Sequence, residues 1–371
     1  MHLVDMTLFY TPASGGVRTY LEAKHRLIGA VAGVRHSLLV PGAAWAQSDA
    51  RYQLPAARLP FCRDYRMPLR AAPWLKLLDG LQPDLIEAGD PYRTAWIALQ
   101  AGRRLDIPVI GFYHSDLPRL VGNRIGPWLG EPMKGYVRRL YGRFDRVLVP
   151  SAVMAERLVD LGIAQVHLQP LGVDLATFRP GRRDPALKRV LGLSEGCRLM
   201  LFAGRGSREK NLPQLLEAAR LLGPPYQLLL VGSGMPTRTP ANVRVIDRFC
   251  PADEVACLMA SCDLLLHAGA QETFGLVVLE AMACGLPVVA VRAGALAELV
   301  PFHCGRLCRP ADPAAMAAAV REVFDGDPRQ LGRQARLHVE AHYGWEQVVD
   351  GLLGHYRAVL GQAQPVEWAH G

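Results

Sequence analysis

This basic chain has very little lysine. Only 5 of its 42 basic residues are lysine and the rest are arginine, so Lys210 inside a polar motif stands out. No apolar run approaches the roughly 20 residues that cross a bilayer. The first residues enter a strand-like stretch, residues 3–10, with no basic segment, apolar run and cleavage site before it, so no signal peptide is expected. Both absences point to the cytoplasm, in solution or at the inner face of the cytoplasmic membrane. No short fixed repeat and no low-complexity tract is present, which excludes a solenoid or a disordered scaffold.

Cysteine is present but unorganised. Cys250, Cys257 and Cys262 lie seven and five apart, Cys304 and Cys308 four apart, and no Cys-x2-Cys pair occurs among the eight. A chain of this size needs no disulfide staples, so reduced, buried thiols are expected. His303 beside Cys304 invites a zinc reading, but two more ligands at a suitable spacing are missing from the sequence, so none is expected.

At 371 residues, half of them hydrophobic and a fifth charged, the chain is globular and long enough for two domains. The net charge of +8 is uneven, +6 over the first 175 residues and +2 over the rest. A basic first half implies anionic partners. Short apolar stretches at 37–40, 85–88, 109–112 and 146–149 alternate with helical ones. The second half repeats the style with strands at 199–203, 227–231, 243–246 and 264–267 and helices at 212–222 and 253–260. Such alternation predicts an α/β chain with two Rossmann-like, doubly wound parallel sheets whose ligands sit at the carboxyl ends of the strands. The tract 170–180 and the Arg-rich stretch after it mark the boundary. The expected domains are 1–175, 176–344 and a last segment, 345–371.

The most informative stretch is 267–291. A helix is expected to start near 273–275, apolar on nearly every face, with Gly285 at its stop and Pro287 forbidding continuation. Glu280 interrupts that helix and Glu272 precedes it. At 100° per residue an eight-residue gap closes to about 80°, so both carboxylates can face one cleft. Patterning alone fits equally a helix-end carboxylate plus one paired with a core arginine. Burying a carboxylate in so apolar a segment is costly unless something binds it.

Glu272-Thr-Phe-Gly-x4-Glu280-Ala-Met-Ala-x-Gly-x-Pro-Val resembles the signature of the retaining glycosyltransferases of family 4, which have the two-domain GT-B fold. The flanking motifs match in order, so the resemblance covers nearly the whole chain. It implies a nucleotide-sugar donor on the second domain, an acceptor on the first, closure about the connection, a C-terminal helix within 345–371 that returns to the first domain, and no metal or other cofactor. Glu280 would accept hydrogen bonds from the donor ribose and Glu272 from the sugar ring, with Thr273, Phe274, Gly275 and Leu276 offering backbone amides. Gly204-Arg205-Gly-Ser-Arg-Glu-Lys210-Asn211 resembles the family's Gly-Arg…Glu-Lys-Asn motif, which makes Arg205 and Lys210 a diphosphate clamp. Without that context the same residues read as a solvated turn. Gly232 and Gly234 would line the same edge, and the loop 248–253 would read the base.

In the first half, Gly15 and Gly16 follow the first strand, where glycines let backbone approach a phosphate. The family carries a loop there over the donor diphosphate, with Arg18 as an accessory. His114 ends a strand where the family has a donor-contacting histidine, and Asp116 is expected to orient it. The His114-Ser-Asp-Leu-Pro form is similar to the branch that glycosylates membrane lipids or makes mannosides. Two tracts interleave cations with apolar residues. One, 119–146, contains Arg119, Arg124, Lys134, Arg138, Arg139, Arg143 and Arg146 with Trp128 and Tyr136. The other, 51–78, runs from Arg51 to Leu78 with Phe61, Tyr65 and Trp74. They suit an anionic lipid surface, or equally a core helix with a solvated basic face. No nucleic-acid module accompanies the charge. Asp325-Gly-Asp327 before Pro328 reads as a turn.

The expected activity is retaining transfer of a hexose from a UDP- or GDP-sugar to an acceptor hydroxyl, most simply of a membrane lipid such as diacylglycerol. Rival readings are a soluble or polyprenyl-linked saccharide acceptor, a non-catalytic nucleotide-sugar-binding scaffold, and an epimerase of the same fold.

Overall fold

A computed structural model describes residues 1–11, 15–59 and 62–361. It separates into two compact units, residues 1–170 with the segment from Glu346, and Leu171–Trp345. The division falls at the head of the 170–180 tract.

The first unit contains strands β1 (His2–Met6), β2 (Arg35–Gly42), β3 (Ala46–Ser48), β4 (Arg51–Pro55), β5 (Ala57–Leu59), β6 (Cys62–Met67), β7 (Leu85–Ala88), β8 (Val109–Phe112), β9 (Arg146–Val149) and β10 (Val166–Leu168). Eight of them form one sheet in the order β10-β9-β8-β7-β1-β2-β4-β3. Every neighbour pair is parallel except β3 with β4. β5 and β6 form a separate antiparallel hairpin. β1, β7 and β8 are buried at every position, as expected of strands covered by helices on both faces. The expected strand 3–10 stops at Met6, because the chain turns there and Leu8 donates its N–H to the buried Asp90 carboxylate at 2.7 Å. The helix Trp345–Val359 supplies Leu352, Leu353 and Tyr356 as fully buried side chains.

The second unit carries six parallel strands, β11 (Arg198–Ala203), β12 (Tyr226–Val231), β13 (Val243–Ile246), β14 (Leu264–His267), β15 (Val288–Val291) and β16 (Gly305–Cys308). Their order is β13-β12-β11-β14-β15-β16. The order reverses at β11, next to β14, which is where open parallel sheets place ligands. Loops after β12, β11 and β14 therefore leave one edge side by side. Asp327 is a helix cap, accepting the N–H groups of Arg329 (2.9 Å) and Gln330 (3.0 Å), so the Asp325–Asp327 triplet starts the helix Pro328–His342. No helix among the described residues is long and apolar enough to cross a membrane.

Candidate active site

The loops after β11 and β12 touch backbone to backbone. Gly204 donates its N–H to Val231 at 2.9 Å and Gly206 to Ser233 at 2.9 Å. A Cβ on Gly232 would stand 1.9 Å from the Gly204 carbonyl oxygen, and one on Gly206 1.9 Å from that of Gly234. These glycines exist for close approach. Their amides are also engaged: Gly232 donates to Ile246 (3.0 Å) and Gly234 to the Asp247 carboxylate (2.8 Å). Gly204, Gly232 and Gly234 thus shape the edge.

Between these loops and the end of β14 stands Glu272. Lys210 ion-pairs with its Oε1, and His267 Nε2 lies 3.3 Å from the same atom. Burial alone would raise this carboxyl, but Lys210 and His267 outweigh burial and hold it well below the usual carboxylate range. His267 Nδ1 accepts the Gly269 N–H at 3.1 Å, which leaves Nε2 to face Glu272. His267 was not singled out from the sequence, where it reads as the last residue of an apolar strand. A polar residue ending a strand at the carboxyl edge was the available signal. Arg205 is exposed, with no ion pair among the described residues.

Glu280 lies on the helix Leu276–Ala283. The helix starts at Leu276 and not earlier, because Gly275 has φ +99°, a left-handed backbone outside the helical range. Glu272 is therefore in the loop, and helical periodicity does not relate the two glutamates. Glu280's carboxyl has no hydrogen-bond partner among the described residues, and burial pushes it up to about 7. The helix has no side-chain cap and Val278 already donates to the Gly275 carbonyl at 2.9 Å, which leaves the Leu276 and Val277 amides open to an anion. Phe274 is buried, edge-on to Tyr343 with ring centroids 6.2 Å apart, and anchors the loop that presents Thr273. Arg248 in the 248–253 loop is paired with Glu254, and Phe249 beside it is exposed.

In the first unit, Gly15 precedes the helix Gly16–Ile28 with φ +49°, a backbone that favours glycine. Residues 12–14 of that motif lie outside the described part. Arg18 is held by Glu22 at 2.8 Å and lies over the Tyr10 ring. His114 is buried at the end of β8, stacked on Phe112 with centroids 3.9 Å apart and edge-on to Tyr20. Burial, helped by Lys24, pushes His114 down to about 3, so it works as a neutral ring. Asp116 is placed differently from expectation. One oxygen accepts the Arg119 N–H at the start of the helix Leu117–Arg124 and the other pairs with Arg157, so it braces that helix and does not orient His114.

Nearby lies a buried charge network with no signal in the sequence. Lys24 Nζ contacts Asp5 Oδ1 (2.8 Å) and Glu87 Oε1 (2.7 Å); Tyr356 donates to Glu87 Oε2 (2.5 Å), and His36 Nε2 is 3.0 Å from Asp5. These acids sit on the central strands β1 and β7, where local pattern reads only as apolar.

The cation-aromatic tracts divide. In 51–78, Trp74 and Leu78 are core and Tyr65 packs edge-on against Phe9, so a lipid-facing role for that tract is wrong at those residues. Phe61 and the Arg63 side chain lie outside the described part. In 119–146, Val137, Leu140 and Tyr141 are core and Tyr136 donates to the Pro91 carbonyl, whereas Leu120, Ile125 and Trp128 are exposed at 49%, 62% and 72%. The Arg124 side chain is outside the described part.

Comparison with known proteins gives the class. Residues 14–177 match the family model described as Glycosyltransferase Family 4, and residues 184–338 that described as Glycosyl transferases group 1. A sucrose-phosphate synthase structure from Thermosynechococcus elongatus superimposes with a TM-score of 0.78 at 21% identity, over 97% of this chain and 99% of its own. The fold is thus that of the GT-B transferases. A GDP-mannose-dependent alpha-mannosyltransferase of Mycobacterium tuberculosis (strain CDC 1551 / Oshkosh) is 32% identical over 299 residues, 78% of this chain and 76% of its own. A GDP-mannose-dependent alpha-(1-6)-phosphatidylinositol dimannoside mannosyltransferase of the same species (strain ATCC 25177 / H37Ra) is 29% identical over 372 residues, 95% of each chain. The chain belongs to glycosyltransferase family 4, and it is a glycosyltransferase.

Proposed function

We propose that this enzyme transfers a mannosyl group from GDP-mannose, with retention, to a hydroxyl of a membrane-lipid head group. The single observation that carries the site is the Lys210–Glu272–His267 cluster at the carboxyl edge of the second sheet. The mannosyltransferase relatives support the donor, and the phosphatidylinositol dimannoside named for one of them supports a lipid acceptor.

Arg205 and Lys210 neutralise the diphosphate as it leaves, where a fixed positive site contributes most. Glu272, kept ionised by Lys210 and His267, accepts hydrogen bonds from the sugar hydroxyls, and Glu280 accepts from the ribose. The amides at Thr273–Leu276 approach the phosphates. The acceptor hydroxyl attacks from the face the nucleotide leaves, and the departing phosphate takes its proton. Lys210 and Arg205 supply the positive charge for the departing diphosphate, so adding magnesium should not raise the rate.

The enzyme meets the inner face of an anionic membrane through Leu120, Ile125 and Trp128, with Lys134, Arg138 and Arg139 as exposed cations of the same segment. Release of nucleotide from GDP-mannose and from UDP-glucose, with and without a lipid extract, tests the donor and the acceptor. Lipid-stimulated GDP release supports the reading. Turnover only with a soluble saccharide overturns the acceptor, and no release from either donor returns the scaffold. Sedimentation with anionic liposomes, lost in Trp128→Ala, checks the surface.

A further inference from the structure

The second unit holds a cluster that the transfer reaction does not use. His303 and Cys304 precede β16, and His338 lies on the helix Pro328–His342. One ligand atom from each lies within 4.8 Å of the others. The sequence contains the first two ligands side by side; folding adds a third from 34 positions further on. Cys304 is fully buried, His338 half-buried and His303 exposed, so the cluster has a dry wall and an open mouth. His338 Nε2 is buried and makes no hydrogen bond among the described residues, a position that native folds rarely leave empty. A third imidazole, His342, lies one helical turn on, with its centroid 4.9 Å from that of His338.

We propose that His303, Cys304 and His338 bind one zinc ion, with water or His342 in the fourth position. Two imidazoles and a thiolate suit zinc, a borderline-soft ion with no geometric demand of its own. Ligands at about 2.0–2.3 Å from a tetrahedral ion stand closer together than 4.8 Å. Closing that gap falls to His303, whose exposed ring has room to turn. On binding, the Cys304 thiol gives its proton to solvent and its sulfur lone pair to the metal. Burial pushes that thiol up to about 11, so only a bound cation makes it a thiolate near neutral pH. The ion would tie the segment leading into β16 to the last helix of the unit. Tyr343, which supports Phe274, packs against His338 with centroids 5.8 Å apart. The site would therefore stiffen the base of the donor loop from behind.

Titration of the purified, tag-free chain with cobalt(II) as a coloured zinc substitute tests this. The expected result is a thiolate-to-cobalt charge-transfer band that saturates at one equivalent and is erased by zinc. His303→Ala, at an exposed position that leaves folding alone, should weaken binding by roughly 100-fold. Cys304→Ala should abolish the band, while Cys308→Ala should keep it. Absence of the band in the parent chain, unchanged affinity in His303→Ala, or loss of the band in Cys308→Ala alone overturns the proposal.

Discussion

Glu272 sits between two partners of different kinds, the Lys210 ammonium and the His267 ring. Replacing it with glutamine keeps its size and removes its charge, and transfer should fall on the order of 100-fold. His267 is a positioning residue acting through Glu272. His267→Ala should lower kcat by about tenfold with little change in donor KM, and His267→Asn should recover part of it. Loss of the ring removes one of the influences that hold Glu272 ionised, so the acid limb of the pH profile should move to higher pH. A change in KM alone would refute that role. Glu280 gives the opposite sign. Its pKa of about 7 lies above the unfolded value, so the folded chain keeps a proton the unfolded chain has lost. Its contribution to stability therefore falls as pH rises from about 4.3 to about 7. Ribose hydroxyls favour the ionised form, so GDP should bind more tightly as pH rises through 7. Glu280→Gln should flatten both trends, read by urea unfolding and by calorimetry.

At the scale of elements, the donor edge is built by glycine contacts between adjacent loops. Gly232→Ala puts a Cβ 1.9 Å from a backbone carbonyl that has no room to retreat. It should cost about 3 kcal/mol in unfolding experiments and weaken donor binding with it. Gly80 is the control. It lies in the helix Ala72–Leu81 with open space at its Cβ, so Gly80→Ala should stabilise by about 0.5–1 kcal/mol. Periodicity marked β7, β8, β9, β13, β14 and the helix Leu212–Leu222 to the residue. It missed β3 to β6, β10 and β16, which are short; in β4 and β6 arginine and tyrosine in a polar setting look like a surface tract. The helix bearing Glu280 starts at Leu276, later than the expected 273–275, because apolar content does not reveal a left-handed Gly275.

For the whole molecule, the buried network joins β1, β7 and the first helix of the first unit to the chain's last described helix. Tyr356, 269 positions from Glu87, completes it. Lys24→Met would leave Asp5 and Glu87 buried without their cation and should cost about 3–5 kcal/mol. Tyr356→Phe removes only one donor and should cost about 1–3 kcal/mol. Unfolding of the intact chain followed by circular dichroism checks both, and equal losses would mean that packing, not charge, matters there.

By itself the sequence determined the alternation of strands and helices, the glutamate-bearing motif and the family. Each of these lies within a window of a few to some twenty residues, where periodicity and spacing are visible. Tertiary structure alone decided that Lys210 reaches Glu272 across 62 positions, that His267 faces the same oxygen, that Trp74 is core, and that His338 joins His303 and Cys304. Those pairings follow from the order in which parallel strands lie side by side. Strand order depends on how the whole chain buries its apolar faces, and no local pattern encodes it.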